Sequence, residues 1–286
     1  FIMLVLAQIR NNTSGDCGGA LYLQGTVGAL MGSTVAQNST TYDGGGIYAT
    51  NGFVQMQGCS VDSNSAGQDA GGVALYSQIM AGITDTRFRA NQAEGDGGAL
   101  NLWDGAKLTI ETSTFENNRS SDDGGAMTVY TGSTATVREC QFRGNAAGYD
   151  GGGIIVWDDC ELTVENTQFE GNSSTSDGGA LVVYTGSTAT ISESTFQGNT
   201  CDDGEGGGYG GAFEAWQNVT VTMDSCTFTG NFAPESGGAV GIYDQSALTF
   251  RGCDFGGNHT ETFGGALDVW YSDLQLVDCA LRNNAV

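Results

Sequence analysis

Pairs of glycine recur along this chain on a single beat, and that beat restricts the possible folds more than any other feature. The pairs begin at Gly18, Gly44, Gly71, Gly97, Gly124, Gly151, Gly178, Gly210, Gly237 and Gly264, in steps of 26 or 27 residues except for one of 32. An insertion near 201–208 accounts for the long step. A second landmark, an apolar residue followed three positions later by Asn, keeps the same period. It runs from Ile9/Asn12 through Phe88/Asn91, Phe115/Asn118 and Phe142/Asn145 to Leu281/Asn284. A fixed period in the range of 20–50 residues is the signature of stacked-repeat architecture.

Within the unit that starts at Gly124, Met127 and Val129 alternate with Thr128 and Tyr130, Ala135 and Val137 flank Thr136, and Cys140 and Phe142 flank Gln141. These are three short segments of period two, separated by Gly, Ser, Thr and Asn, with no sustained helical period. Strands this short bury their apolar side chains only when each coil stacks on the next. The sequence therefore predicts an all-β fold, a right-handed parallel β-helix of about ten to eleven coils of about 27 residues. It predicts one domain over 1–286, read as a fragment of a longer chain. Phe88, Phe115, Phe142, Phe169, Phe196, Phe228 and Phe255 become one inward ladder. The Asn residues turn a corner while bonding one another, and the Gly pairs provide backbone angles or close approach that a Cβ would forbid.

Lys plus Arg number 9 against 33 Asp plus Glu, a net charge of −24. Such a surface repels nucleic acid and anionic membranes and leaves Ca²⁺ as a possible ligand. The apolar opening FIMLVLAQ is too short to span a bilayer and fits the repeat frame as a strand. Eight cysteines form no CxxC, and several N-x-S/T sequons are present, which together lean toward an extracellular chain. There is a single His, His259, and no nucleophile elbow, so an enzyme is not expected.

GGA plus an apolar residue, at Gly97–Leu100, Gly124–Met127, Gly178–Leu181 and Gly237–Val240 among others, combined with FxxN, resembles the repeats of the chlamydial polymorphic outer-membrane proteins. The resemblance covers essentially the whole chain. It implies a β-helical, surface-displayed passenger with an adhesive role. The expected function is an extracellular structural scaffold or filament module. An adhesin or glycan-binding module is the first alternative, and a polysaccharide lyase or hydrolase the second.

The candidate contact residues are Trp103, Tyr130, Trp157, Tyr184, Trp216, Tyr243 and Trp270, where Trp and Tyr alternate over seven coils. Strand parity places all seven outward, as a stripe for glycans or another chain. Asp precedes the Gly pair at Asp43, Asp96, Asp123, Asp150 and Asp177; a turn cap is the preferred reading and a weak Ca²⁺ ladder the other. Asp202, Asp203 and Glu205 in the insertion are weak cation candidates. Asn218, off the Asn ladder, is the expected glycosylation site, whereas Asn118, Asn172 and Asn258 are expected bare. Cys226, Cys253 and Cys279 hold one position in successive coils and form either a disulfide between neighbours or buried thiols. Further coils or other chains are expected to cover both ends.

Overall fold

The computed structural model describes residues 1–202, 204 and 206–286. Among them every named strand pairs in parallel, and no helix occurs. Two sheets of eleven strands run the length of the rod, from Ile2–Val5 to Asp273–Val277 and from Gln8–Arg10 to Ala280–Arg282. A third, of ten strands, runs from Leu21–Gln24 to Leu267–Trp270. Short corner strands close most coils, with isolated bridges at Ala146 and Ala285 in their place. With rungs about 4.8 Å apart, eleven rungs rise ~48 Å.

Register follows the repeat. Phe115 lies opposite Phe88 and Phe142, and the ring centroids along this ladder stand 4.5–5.0 Å apart, nearly parallel. A second inward ladder carries Leu30, Met56, Ile83, Ile110 and Val137, all fully buried. At the corner the Asn side chains form a continuous chain. Asn118 Nδ2 donates to Phe88 O of the previous coil (3.1 Å) and to Asn145 Oδ1 of the next (2.9 Å), while its backbone N–H donates to the same Oδ1 (3.0 Å).

The two members of a Gly pair do different jobs. Gly124 has φ +62°, the left-handed region, and a Cβ on Gly125 would meet the Gly152 carbonyl oxygen of the next coil at 2.4 Å. One landmark shifts against the sequence reading. Val73 pairs with Ile47 and Leu100, which sets Ala70 (φ +58°) in the left-handed position that Gly44 and Gly97 hold. Asp69 therefore joins the aspartate row, which the Gly-pair spacing had missed.

The eight cysteines are free thiols. The position of Cys226, Cys253 and Cys279 is one of hydrogen bonding, shared with Thr86, Ser113, Thr167 and Ser194. Thr86 N–H donates to Ser113 Oγ (3.1 Å) as Cys226 N–H donates to Cys253 Sγ (3.4 Å). No disulfide joins the three candidates; Cys226 and Cys253 are buried and Cys279 half-buried, and they take the place of hydroxyls in the row rather than packing as apolar residues.

Candidate functional site

The ten-strand sheet contains no Lys or Arg. The ion pairs lie elsewhere, between rungs of the other two long sheets, as in Arg138 with Glu111 and Glu165 (3.5 and 3.1 Å) and Arg87 with Asp62 (2.8 Å). The face built on the ten-strand sheet is thus acidic and uncompensated.

On this face the alternating aromatics divide into two classes. Trp103, Trp157, Trp216 and Trp270 are 40, 39, 40 and 63 % exposed, but Tyr130, Tyr184 and Tyr243 only 7, 3 and 9 %. The expectation of seven outward-exposed rings holds for the Trp residues and is corrected for these tyrosines. The tyrosine rings lie down on the outer side of the sheet, where Tyr130 and Tyr184 cluster with Ile155 and Val182. Their hydroxyls reach the row that precedes the glycines. Tyr130 donates to Asp123 Oδ2 (3.3 Å) and Tyr76 to Asp69 Oδ2 (3.4 Å). Three of the four indoles then stand edge-on to a tyrosine, with Trp103–Tyr130 at 5.4 Å, Trp157–Tyr184 at 5.5 Å and Trp216–Tyr184 at 5.7 Å between centroids, interplanar 80°, 89° and 77°, while Trp270 stacks on Tyr271.

The aspartate row is a hydrogen-bonded ladder. Asp69 Oδ1 accepts the backbone N–H of Asp96 (2.9 Å), Asp96 Oδ1 that of Asp123 (3.0 Å), Asp123 Oδ1 that of Asp150 (3.0 Å), and Asp150 Oδ1 that of Asp177 (3.0 Å). These side chains bond the backbone of the neighbouring coil rather than capping their own turn. Burial raises Asp69, Asp96, Asp123 and Asp150 to about 6 despite those bonds, and the neighbouring carboxylates add to the rise.

The ladder ends at Asp177, because after the insertion Tyr209 occupies the next place in the row. Tyr209 N–H donates instead to Ser176 O (3.3 Å). Asp177 Oδ1 is left buried with no partner among the described residues. Beside it Glu214 is 3 % exposed, and burial raises its carboxyl far above the ordinary range. Three carboxyl oxygens converge on Tyr184 Oη: Asp150 Oδ2 at 3.2 Å, Asp177 Oδ2 at 3.1 Å and Glu214 Oε2 at 2.9 Å. Sequence reasoning missed Glu214; its signal was an acid at an outward position held by Ile155 and Val182 in the preceding coils.

Three recesses of about 410, 430 and 370 Å³ open along this face. One lies between Trp216 and Trp270, one between Trp103 and Trp157, and one beside Tyr76 and Trp103. Each is large enough for a small organic group.

Other candidates lie apart. Asp202 Oδ1 accepts Gly204 N–H (2.7 Å), an Asx turn, while Asp203 and Glu205 fall outside the described residues. Among the described residues no cluster of three or more His, Cys, Asp or Glu could hold a metal ion. His259 stacks on Phe232 at 5.6 Å. Asn218 is exposed in the turn after Trp216, whereas Asn118, Asn172 and Asn258 are buried, with their side-chain amides donating within the ladder.

A continuous parallel solenoid with an acidic, tryptophan-stepped face defines the class of the molecule. The family model described as the right-handed beta helix region matches residues 71–255, and the chain belongs to that family. Comparison with curated proteins and with solved structures returned no match.

Proposed function

We propose that the chain is an extracellular rod that binds an extended glycan along its tryptophan face. The observation that carries this reading is spacing. Four partly exposed indoles stand on alternate coils, two rungs or roughly 9.6 Å apart, and Trp103, Trp157 and Trp216 are braced by a buried tyrosine. Rigid aromatic platforms at a regular interval suit the apolar faces of sugar rings in a straight chain. The carboxyl groups beside them accept hydroxyl protons, and their charge selects against acidic polysaccharides, which leaves neutral or amino-sugar polymers. The resemblance to polymorphic outer-membrane proteins and the exposed sequon at Asn218 fit a surface-displayed, adhesive module.

The scaffold reading uses the same rod differently. In it the tryptophan face is a lateral contact between rods.

Binding of residues 1–286 to an array of neutral and amino-sugar polymers decides between these. The glycan reading expects affinity that drops at least tenfold in Trp103→Ala and Trp157→Ala with the melting temperature little changed. No glycan bound, together with self-association that the same variants abolish, would establish the scaffold instead. Release of new reducing ends would overturn binding without turnover.

A further inference from the structure

We propose that the recess between Trp216 and Trp270 is a binding site for a methylated ammonium group. This inference stands whether or not the face as a whole takes a glycan.

The walls are aromatic. Trp216, Tyr243, Trp270, Tyr209 and Tyr271 line the recess, with Tyr209 edge-on to Tyr243 at 5.6 Å and Trp270 stacked on Tyr271 at 5.8 Å. The remaining lining is acidic, from Asp177, Glu214 and Asp244, and no Lys or Arg contributes. Several aromatic faces around one recess attract a cation through their quadrupoles, most strongly where water is excluded. The other two recesses have only two or three aromatic walls.

The local sequence explains why the cage forms at this coil. The insertion replaces the next aspartate of the row with Tyr209, which supplies a wall and leaves Asp177 Oδ1 without a donor among the described residues. Gly241 follows Glu214 in the outward row, and a Cβ there would lie 2.6 Å from the Tyr243 ring. That glycine lets the ring lie flat and close the floor.

The same features select the ligand. An anion is excluded by three carboxyl groups. A compact divalent ion needs six or more oxygens at short range, and no described cluster supplies them. A neutral sugar leaves Asp177 and Glu214 uncompensated. Tyr184 Oη, with one proton to donate, faces three carboxyl oxygens, so the cluster holds a bound proton when empty. A weakly hydrated, bulky cation fills the aromatic walls and places positive charge beside those acids, releasing that proton.

The test is calorimetric titration of the full chain with choline, alongside its neutral carbon isostere 3,3-dimethylbutan-1-ol and with n-butylamine. The expected result is saturable choline binding, at least tenfold tighter than the isostere, with protons released, and weakened at least tenfold by Glu214→Gln and by Trp270→Ala. Tighter binding of n-butylamine than choline would assign the cage to a primary ammonium and overturn the methylated one. Should Glu214→Gln fail to fold, Asp244→Asn at the rim serves with Trp270→Ala. Trp157→Ala, in the neighbouring recess, is expected to leave choline binding unchanged even where it abolishes glycan binding. Equal affinity for choline and the isostere, or choline binding indifferent to Trp270→Ala, would overturn the proposal.

Discussion

Tyr184 Oη lies 2.9 Å from Glu214 Oε2, joining two adjacent coils through side chains on the outer surface of the sheet. Asp150 and Asp177 contact the same hydroxyl. Removing it leaves the buried Glu214 and the half-buried Asp150 and Asp177 without their common partner. Tyr184→Phe is therefore expected to lower the unfolding free energy by ~1–3 kcal/mol, the cost of orphaning buried polar groups. Urea unfolding followed by circular dichroism measures this; an unchanged midpoint would mean that the acids find other partners.

The aspartate ladder predicts an unusual pH profile. Burial raises Asp69, Asp96, Asp123 and Asp150 to about 6, from an unfolded value near 3.9. The folded chain thus binds more protons than the unfolded chain between about pH 4 and 6, so stability falls as pH rises through that window. The melting temperature should be higher at pH 4.5 than at pH 7.5, and the difference should shrink in Asp123→Asn. A melting temperature that rises with pH over this range would contradict the ladder.

Asn145 donates from Nδ2 to Phe115 O (3.0 Å) and Asn172 Oδ1 (2.9 Å), and its own Oδ1 accepts from Asn118. Asn145→Ala breaks both directions of the chain at a fully buried site and is expected to cost several kcal/mol, at ~1–3 per orphaned group. Each coil contacts only its neighbours. Hydrogen exchange should therefore quicken most in the coils on either side and least at the ends; uniform loss of protection would sink the nearest-neighbour picture.

The same corner governs modification. Glycopeptide mapping after secretion from a eukaryotic host is expected to find sugar at Asn218 and none at Asn118, Asn172 or Asn258, whose amide nitrogens are buried and engaged. Sugar at Asn118 would require the corner to open.

Phe142 is stacked between Phe115 and Phe169 at 4.5 and 5.0 Å and is fully buried. Phe142→Ala should cost ~3–5 kcal/mol as a cavity in a core that cannot collapse, and Phe142→Leu markedly less. Denaturant melts of the two variants provide the measurement, and equal costs would argue that the site relaxes.

The sequence by itself determined the solenoid, the number of its coils and the membership of the Phe and Asn ladders. Each coil repeats its predecessor about 27 residues later, so the partner of Phe142 in space is the residue at the same phase, Phe115 or Phe169, and period predicts contact. It did not determine how the outer face is used. Strand parity puts Tyr184 and Trp216 on the same side of the sheet, yet one is buried and the other stands in solvent. That choice depends on what lies beneath each ring and on which acid its polar atom can reach across a coil. The tyrosine hydroxyl reaches the aspartate row over Ile155 and Val182; the indole has no such partner there. Asp69 entered the row only through strand register, because Ala70 occupies a glycine place. The meeting of Asp150, Asp177 and Glu214 arose only when the insertion ended the ladder in space. Alternation along a strand fixes direction, but burial and charge on an outer face are settled by side chains of neighbouring coils, which only the stacked structure brings together.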